Sequence, residues 1–258
     1  VRMFVTDTLG DPYLEQKWLP TLYEAIGESR KAANKIKLEE PITVVIGNPP
    51  YKEKAKGLGG WIEGKTRGTD HPVPLGTRTR KGVPLEKNTS ERPSPLAEWI
   101  PPKEWKVGAH AKHLRNLYIY FWRWATWKVF DHHPSSNHGI VCFITVAGFL
   151  NGPGFQKMRD YLRRICDEIW VIDCSPEGHQ PEVNTRIFQG VQQPICIVLA
   201  ARSGKKLSDS SAKVRFQALP IGHRKEKFAA LGKLTLGVSK AWVDCPTEWR
   251  APFLPAST

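Results

Sequence analysis

The hydrophobic pattern divides the chain into short apolar runs that end in polar, glycine or proline turns. Six of these runs have the length and β-branched content of strands: residues 1–9, 42–46, 139–146, 168–173, 195–200 and 214–219. Residues 42–46 are apolar without interruption, which predicts a strand buried on both faces of a parallel sheet. The run at 214–219 follows a turn-rich stretch and is predicted to form a hairpin with the preceding strand.

Segments with apolar residues at helical spacing alternate with these runs. They predict helices over residues 12–37, 114–131 and 155–166. The helix at 114–131 carries many aromatic side chains, and such a face more often packs into a core than stacks on bases. The strand–helix–strand order predicts an α/β protein with crossover helices.

Residues 52–112 interrupt this order with glycine, proline, threonine and charged residues and no sustained periodicity. Residues 52–115 contain fourteen Lys or Arg against seven Asp or Glu. An irregular segment of this length inside a domain is usually functional or disordered. We predict either a basic lid over the phosphates of a polyanion or a solvated insertion.

Within this segment, Gly59 and the tripeptide Gly64-Lys65-Thr66 match the phosphate-loop pattern of nucleotide-hydrolysing enzymes. A phosphate loop joins a buried strand to a helix whose amino terminus faces the phosphates. Neither flank of this match has the pattern of a strand or a helix. The sequence therefore argues against a nucleotide-driven motor based on this match.

The strand at 42–46 leads into the turn Asn48-Pro49-Pro50-Tyr51. The prolines stiffen the backbone at the carboxyl end of the strand, which is where open α/β sheets bind ligands. The side-chain oxygen of Asn48 and the carbonyl of Pro49 can accept the two hydrogens of a conjugated amine and so free its lone pair to attack a methyl donor. Tyr51 offers a face on which a base rotated out of a duplex can stack, for roughly 1–3 kcal/mol.

This turn resembles the catalytic motif of S-adenosylmethionine-dependent amino-methyltransferases, especially the γ-class DNA adenine-N6 enzymes. The resemblance implies S-adenosyl-L-methionine as the cofactor, a flipped adenine in double-stranded DNA as the substrate, and catalytic roles for Asn48, Pro49 and Tyr51. It also implies that Asp7, at the end of the first run, binds the cofactor together with Asn48. A turn or cap role explains Asp7 equally well.

The order of elements resembles the C-terminal part of a class I (Rossmann-like) methyltransferase sheet with a terminal β-hairpin and a long basic insertion. In that family an aromatic residue before the last hairpin contacts the flipped adenine opposite the tyrosine of the motif. Phe188 occupies that place and would clamp the base against Tyr51. Phe149 is the second choice, and core packing is the alternative role for Phe188.

Residues 109–114, the tryptophan-rich helix and residues 149–155 also resemble the methylase region of type ISP restriction-modification proteins. The resemblance implies a site-specific DNA methyltransferase fused to helicase or nuclease domains and followed by a target-recognition domain. Residues 1–219 would then form a partial catalytic domain. Residues 220–258 would form a C-terminal helix and a linker toward target recognition.

Two features of the family are missing: the glycine-rich loop that binds the methionine end of the cofactor and the acidic residue that holds its ribose. The chain opens at Val1 on what would be the third strand, so the first strands are expected to be absent. We therefore expect this piece alone to bind S-adenosylmethionine poorly and to be inactive, while the longer parent protein is the enzyme.

Composition supports a polyanionic partner, because 38 basic and 25 acidic residues give a net charge of +13 and a pI near 9.6. The five cysteines are scattered and include no Cys-x-x-Cys pair, which argues against disulfides and zinc. The histidines around the tryptophan-rich helix lack metal-ligand spacing, so no metal is expected. No signal peptide or apolar run near 18 residues is present, so a cytoplasmic protein without a membrane partner is expected.

Two other functions stay open on the sequence. A protein glutamine methyltransferase faces the same chemistry, because an amide nitrogen is equally unreactive and that family carries the same tetrapeptide. A non-catalytic module that only binds DNA is the second alternative. The basic insertion and the net charge favour DNA, and the intact asparagine of the motif favours catalysis.

Overall fold

A mixed six-stranded sheet forms the centre of the computed structural model, which describes residues 2–4, 6–13, 24–64, 94–133, 137–178, 183–204, 209–237 and 241–256. Its strands are β1 (Val44–Gly47), β2 (Gly139–Val146), β3 (Glu168–Asp173), β4 (Ile195–Arg202), β5 (Lys213–Ala218) and β6 (Val243–Asp244). Across the sheet they lie in the order β1-β2-β4-β3-β5-β6. The predicted α/β class is confirmed, and the strands predicted at 139–146 and 168–173 have the predicted bounds.

The strand directions bring several strand ends to one edge of the sheet. β1 runs parallel to β2, and β3 runs parallel to β5. β4 is antiparallel to both of its neighbours, β2 and β3. β1, β2, β3 and β5 therefore point the same way, and we call the edge where they end the carboxyl edge. β6 pairs antiparallel with β5 at the far side.

Four helices flank the sheet: α1 (Glu24–Glu39), α2 (Leu117–Thr126), α3 (Gln156–Ile165) and α4 (Arg224–Lys233). A π-helical turn, Trp127–Asp131, extends α2. The helix predicted over 12–37 is confirmed from residue 24 onward, and its positions 14–23 lie outside the described residues. The predictions for α2 and α3 are confirmed, since their apolar positions are buried or packed half-buried against the core.

Two hydrophobic clusters hold the helices against opposite faces of the sheet. On one face, α2 packs Trp122 against Phe143 of β2, with ring centroids 5.1 Å apart. On the other face, α4 packs against a cluster that contains Trp170 and Trp242, whose ring centroids are 4.7 Å apart. The aromatic helix is therefore mainly a packing element, as its spacing predicts.

Three strand predictions are wrong in part. Among residues 2–4 and 6–9 the structure contains no strand. β1 lies at an edge of the sheet and is not buried on both faces, because Val44 and Ile46 are 49% and 76% exposed. The predicted terminal hairpin of β4 and β5 does not form, since β5 pairs with β3 in parallel and β4 lies between β2 and β3.

The two flanks of the predicted insertion belong to the core. Residues 52–64 and 94–112 contain short 3₁₀ turns, and Trp61, Ile62 and Trp99 are buried in the same cluster as α2. A solvated insertion would leave such side chains in water at a large free-energy cost. These flanks are therefore not a solvated insertion, and residues 65–93 lie outside the described part.

Buried cations attach distant segments to the body of the protein. Arg159 of α3 is 2% exposed and donates hydrogen bonds of 2.8–3.3 Å to four main-chain carbonyls, those of Phe149, Gly152, Arg250 and Ala251. Burial lowers the pKa of its guanidinium to about 10, with the nearby Arg163 acting in the same direction. The side chain is still charged at neutral pH and fixes the stretch around residue 250 to the turn after β2.

Replacing Arg159 by leucine is expected to destabilise the fold by about 2–4 kcal/mol, because buried carbonyls lose their donors. Chemical denaturation with a two-state fit measures this change. The exposed Arg224→Leu is the matched control and is expected to change stability by less than about 0.5 kcal/mol. Equal effects of the two substitutions would show that the Arg159 hydrogen bonds contribute nothing.

Candidate active site

The 48–51 turn lies at the carboxyl edge, directly after β1. A Cβ atom at Gly47 would come within 3.0 Å of the Phe143 ring in β2, so glycine allows the strand to end close against its neighbour. Asn48 is exposed and Pro49 is buried. The turn therefore presents the amide side chain to solvent from a buried proline anchor.

The turn offers two hydrogen-bond acceptors. Within the described part of the chain, the carbonyl oxygen of Pro49 accepts no hydrogen bond. The side-chain oxygen of the exposed Asn48 is a second acceptor one residue away. Two neighbouring acceptors at the rim of a sheet suit a substrate with an –NH₂ group, which donates two hydrogen bonds.

Tyr51 is anchored between the two hydrophobic clusters. It is half-buried and packs against both of them. Its hydroxyl is enclosed beside the Asn48 side chain and makes no hydrogen bond of ordinary length to the described residues. Burial raises the pKa of Tyr51 to about 12, the nearby Cys174 and Cys196 thiols add to the rise, and the Asn48 side chain acts against it. The hydroxyl therefore stays neutral, and the ring is the part that the turn can offer a substrate.

Two other aromatic side chains near this edge differ in accessibility. Phe188, in the segment before β4, is half-buried and packs on the same cluster as Tyr51. Phe149, the second choice from the sequence, is 0% exposed and packs between Trp122 and Phe253. Phe149 is thus a core residue, whereas the structure brings Phe188 and Tyr51 to one cluster at the carboxyl edge.

The chain after the turn is fixed to the start of α2. The main-chain N–H of Leu117 donates to the Lys52 carbonyl over 2.8 Å, and that of Ala55 donates to the Arg115 carbonyl over 2.8 Å. Between them the N–H of Lys54 donates to the side-chain oxygen of the buried Asn116 over 3.1 Å. These hydrogen bonds hold both ends of the segment that leaves the turn.

Asn116 is a positioning residue that the sequence does not reveal. An asparagine before a helix predicts an N-cap, but its side chain makes no capping hydrogen bond to α2. Its oxygen accepts from Lys54, and its nitrogen donates to the Tyr118 hydroxyl over 3.0 Å. Only the tertiary contact with residues 52–55 distinguishes it from an ordinary cap.

The loop after β3 is fixed at the same edge. The Asp173 carboxylate accepts the Ser175 N–H over 2.9 Å, and burial raises the pKa of Asp173. The buried Lys227 of α4 donates to the Cys174 carbonyl over 3.1 Å and pairs with Glu177. Sequence reasoning missed Lys227, because a lysine on a charged helix gives no sign of burial.

Asp7 contacts the residues that follow it and the end of α1. Its carboxylate accepts the Leu9 N–H over 3.2 Å, and its carbonyl accepts the Gly10 N–H and the Lys37 ammonium. Lys37 is in the last turn of α1, just before the amino end of β1, whereas the turn follows the carboxyl end. None of these contacts involves the 48–51 turn, and the geometry around Asp7 is that of a turn residue.

In the segment that matches a phosphate loop, a glutamate of the segment itself accepts the main-chain N–H groups. Residues Gly60–Glu63 form a 3₁₀ turn, and the Glu63 carboxylate accepts the N–H groups of Gly57 at 2.6 Å and Gly59 at 3.4 Å. An anionic side chain on these amides repels a phosphate. This geometry supports the rejection of the match, whose Lys65 lies outside the described residues.

In the described ranges, no three His, Cys, Asp or Glu side chains are grouped so that they could hold a metal ion. The five cysteines are free thiols. No helix among these residues is both long and apolar enough to span a bilayer.

No protein-family model and no curated protein matches the chain. Solved structures that share its fold include the following three. The first is the "ATP-dependent Type ISP restriction-modification enzyme LlaBIII bound to DNA", with a TM-score of 0.64, 19% identity, and coverage of 96% of this chain and 15% of that chain.

The second is a DrdV–DNA complex, with a TM-score of 0.58, 18% identity, and coverage of 97% of this chain and 21% of that one. The third is a nuclease-deletion mutant of the type ISP restriction-modification enzyme LlaGI in complex with a DNA substrate mimic, with a TM-score of 0.58, 16% identity, and coverage of 88% and 19%. At these identities the likeness shows the fold, and the chain spans at most about a fifth of the length of these proteins. The resemblance to type ISP enzymes expected from the sequence is confirmed at the level of the fold.

Replacing Asn116 by alanine is expected to destabilise the protein by about 1–3 kcal/mol, because the Lys54 N–H and the Tyr118 hydroxyl are both left without a partner. Urea denaturation measures the change in the free energy of unfolding. The exposed Asn151→Ala serves as the control and should change stability by less than about 0.5 kcal/mol. If Asn116→Ala is as stable as the control variant, the side chain does not hold the segment.

Replacing Tyr51 by phenylalanine is expected to leave stability at pH 7 unchanged or raised by up to about 1 kcal/mol, because a buried hydroxyl without a partner is removed. The raised folded-state pKa of Tyr51 means that the unfolded state releases this proton first. Because of Tyr51, the free energy of unfolding of the wild type therefore falls as the pH rises from about 10 toward about 12. Thermal melts of both proteins from pH 8 to pH 11.5 should show a gap that widens above pH 10 in favour of the variant. A gap that is constant with pH would refute the buried-hydroxyl assignment.

Proposed function

We propose that the 48–51 turn positions an exocyclic amine for methylation and that the substrate is the N6 amino group of a flipped adenine in DNA. The observation that carries the proposal is the pair of acceptors at the carboxyl edge, the exposed Asn48 amide oxygen and the Pro49 carbonyl, which no described residue engages. An exocyclic amine conjugated with a ring donates two hydrogen bonds in the plane of the base. Acceptors for both hydrogens favour a pyramidal nitrogen, whose lone pair is then available to a methyl group.

The aromatic residues at this edge support a base as the substrate. Tyr51 has a buried hydroxyl, and the residue as a whole is half-buried. Phe188 packs on the same cluster from the segment before β4. A base rotated out of the helix would lie between these two rings, with its amine directed at Asn48 and Pro49. The net charge of +13 favours a nucleic acid over a neutral substrate.

The methyl group would come from S-adenosylmethionine, but the described residues do not form a complete site for it. β1 is an edge strand, and the described residues place no strand beyond it. Of the two residues assigned to the cofactor from the sequence, Asn48 is at the carboxyl edge and Asp7 contacts Lys37 in the last turn of α1. The role of Asp7 stays a prediction. The residues of this chain are therefore assigned to the acceptor amine, and we expect weak binding of the cofactor to this chain alone.

We further propose that the chain acts as the methylase region of a site-specific restriction-modification enzyme. Support comes from the shared fold with segments of proteins solved as DNA complexes, two of which are type ISP restriction-modification enzymes. In such a protein, helicase or nuclease domains and a target-recognition domain would supply translocation, cleavage and sequence choice.

Mass-spectrometric nucleoside analysis of DNA incubated with S-adenosylmethionine tests the proposal, with this chain and with any longer protein that contains it. N6-methyladenine is expected with the longer protein, and Asn48→Ala should lower its formation at least about hundredfold. Asn137→Ala, an exposed asparagine before β2, is the matched control and should methylate like the wild type.

A methylated glutamine in a protein substrate, with unmodified DNA, would keep the amine chemistry but refute the adenine assignment. DNA binding without methylation of any substrate would favour the non-catalytic module. Equal activity of the Asn48 and Asn137 variants would refute the role of the asparagine.

A further inference from the structure

A second feature at the carboxyl edge lies directly beside the 48–51 turn. The segment that leaves the turn and the end of the 3₁₀ helix Gly108–Arg115 are joined by the two main-chain hydrogen bonds and the Asn116 contact described above. Both segments therefore have a fixed position relative to Asn48. They form one surface rather than two independent loops.

This surface carries a concentration of exposed cations. Its exposed basic side chains, which together we call the basic platform, are Lys52, Lys54, Lys56, Lys112 and Arg115. In a 3₁₀ helix, residues three apart lie above one another, so Lys112 and Arg115 occupy the same side. Five cations on a short pinned surface repel one another in water, and a polyanion would relieve that repulsion.

Two acidic residues, Glu53 and Glu63, lie among the residues of the basic platform along the chain, but they do not cancel its charge. Glu53 is exposed. The Glu63 side chain is 8% exposed. Its carboxylate accepts the N–H groups of Gly57 and Gly59 and lies 3.9 Å from the Nε atom of Arg115. Glu63 thus binds main-chain N–H groups below the surface, and the charged side chains that face solvent are mainly positive.

The backbone of Lys54 adds a second observation. Its φ angle is 50°, in the left-handed region, and only one other non-glycine residue of the described ranges shares this feature. A left-handed conformation costs a lysine roughly 1 kcal/mol or more. The hydrogen bond from the Lys54 N–H to Asn116 holds the residue in this conformation, with its side chain exposed. The fold therefore maintains a strained lysine three residues after Tyr51.

We propose that the basic platform binds the DNA phosphates that flank the base held at Asn48. This assignment rests on the proposed function, because the amine-binding turn defines which polyanion the platform meets. A nucleotide rotated out of a duplex keeps its 5′ and 3′ phosphates at the mouth of the pocket, next to the residues that surround it. Cations on a pinned surface would hold those phosphates at a fixed distance from the turn, which sets the depth to which the base enters.

Fluorescence anisotropy with a labelled DNA duplex, without the methyl donor, measures this binding for the wild type and two triple variants. The test variant combines Lys52→Gln, Lys54→Gln and Lys56→Gln. The matched control removes the same charge from three exposed lysines away from the carboxyl edge: Lys35 near the end of α1, Lys213 at the start of β5 and Lys233 at the end of α4. Thermal melts check that all three proteins are folded.

The test variant is expected to bind at least about tenfold more weakly at 0.1 M salt. Its plot of log K against log salt should be shallower by about 1 for each phosphate that the variant no longer neutralises. The control variant should bind within about twofold of the wild type. Equal weakening in the two variants would show that only overall charge matters, and wild-type binding by the test variant would overturn the platform outright.

Methylation assays with the longer protein, carrying the same substitutions, separate the platform from the proposed function. If the test variant fails to bind but no protein yields N6-methyladenine, the methylation proposal fails and the platform stands. If methylation occurs and the test variant binds and methylates DNA like the wild type, the platform fails and the methylation proposal stands.

Discussion

The parallel pairing of β1 with β2 is the constraint on which the carboxyl edge depends. It places Gly47 beside Phe143, so that the chain leaves the sheet at one point and in one direction. The hydrogen bond from Lys54 to Asn116 then fixes the chain on the other side of the turn. A turn held at both ends by buried contacts can keep two acceptors in place without spending binding energy on ordering them.

The local features of this site could be predicted from the sequence. The apolar run before Asn48, the two prolines and the helical spacing of the flanking segments are short-range signals, and they correctly predict a strand, a stiff turn and crossover helices. The chemistry of the tetrapeptide stays a prediction, which the sequence allows because the acceptors and the aromatic ring lie within four residues. The structure adds that Phe188 and Tyr51 pack on one cluster, and the clamp between them stays a prediction.

The features that the sequence did not reveal are set by contacts between distant residues. Asn116 and Lys54 are 62 positions apart, and Lys227 and Cys174 are 53 apart, so no local pattern records these pairs. Burial of β1 was predicted wrongly because apolarity does not distinguish a central strand from an edge strand. The hairpin of β4 and β5 was predicted from their order in the chain, whereas the register of β4 with β2 and β3 decides the pairing.

The most direct test of the central claim is a structure of the protein with a DNA duplex that contains its target adenine. The account predicts an adenine rotated out of the helix, with its N6 atom about 2.7–3.2 Å from both the Asn48 side-chain oxygen and the Pro49 carbonyl. The ring should stack on Tyr51, and the flanking phosphates should contact the basic platform. An adenine that stays paired in a bound duplex, or a flipped base whose amine points away from the turn, would contradict it.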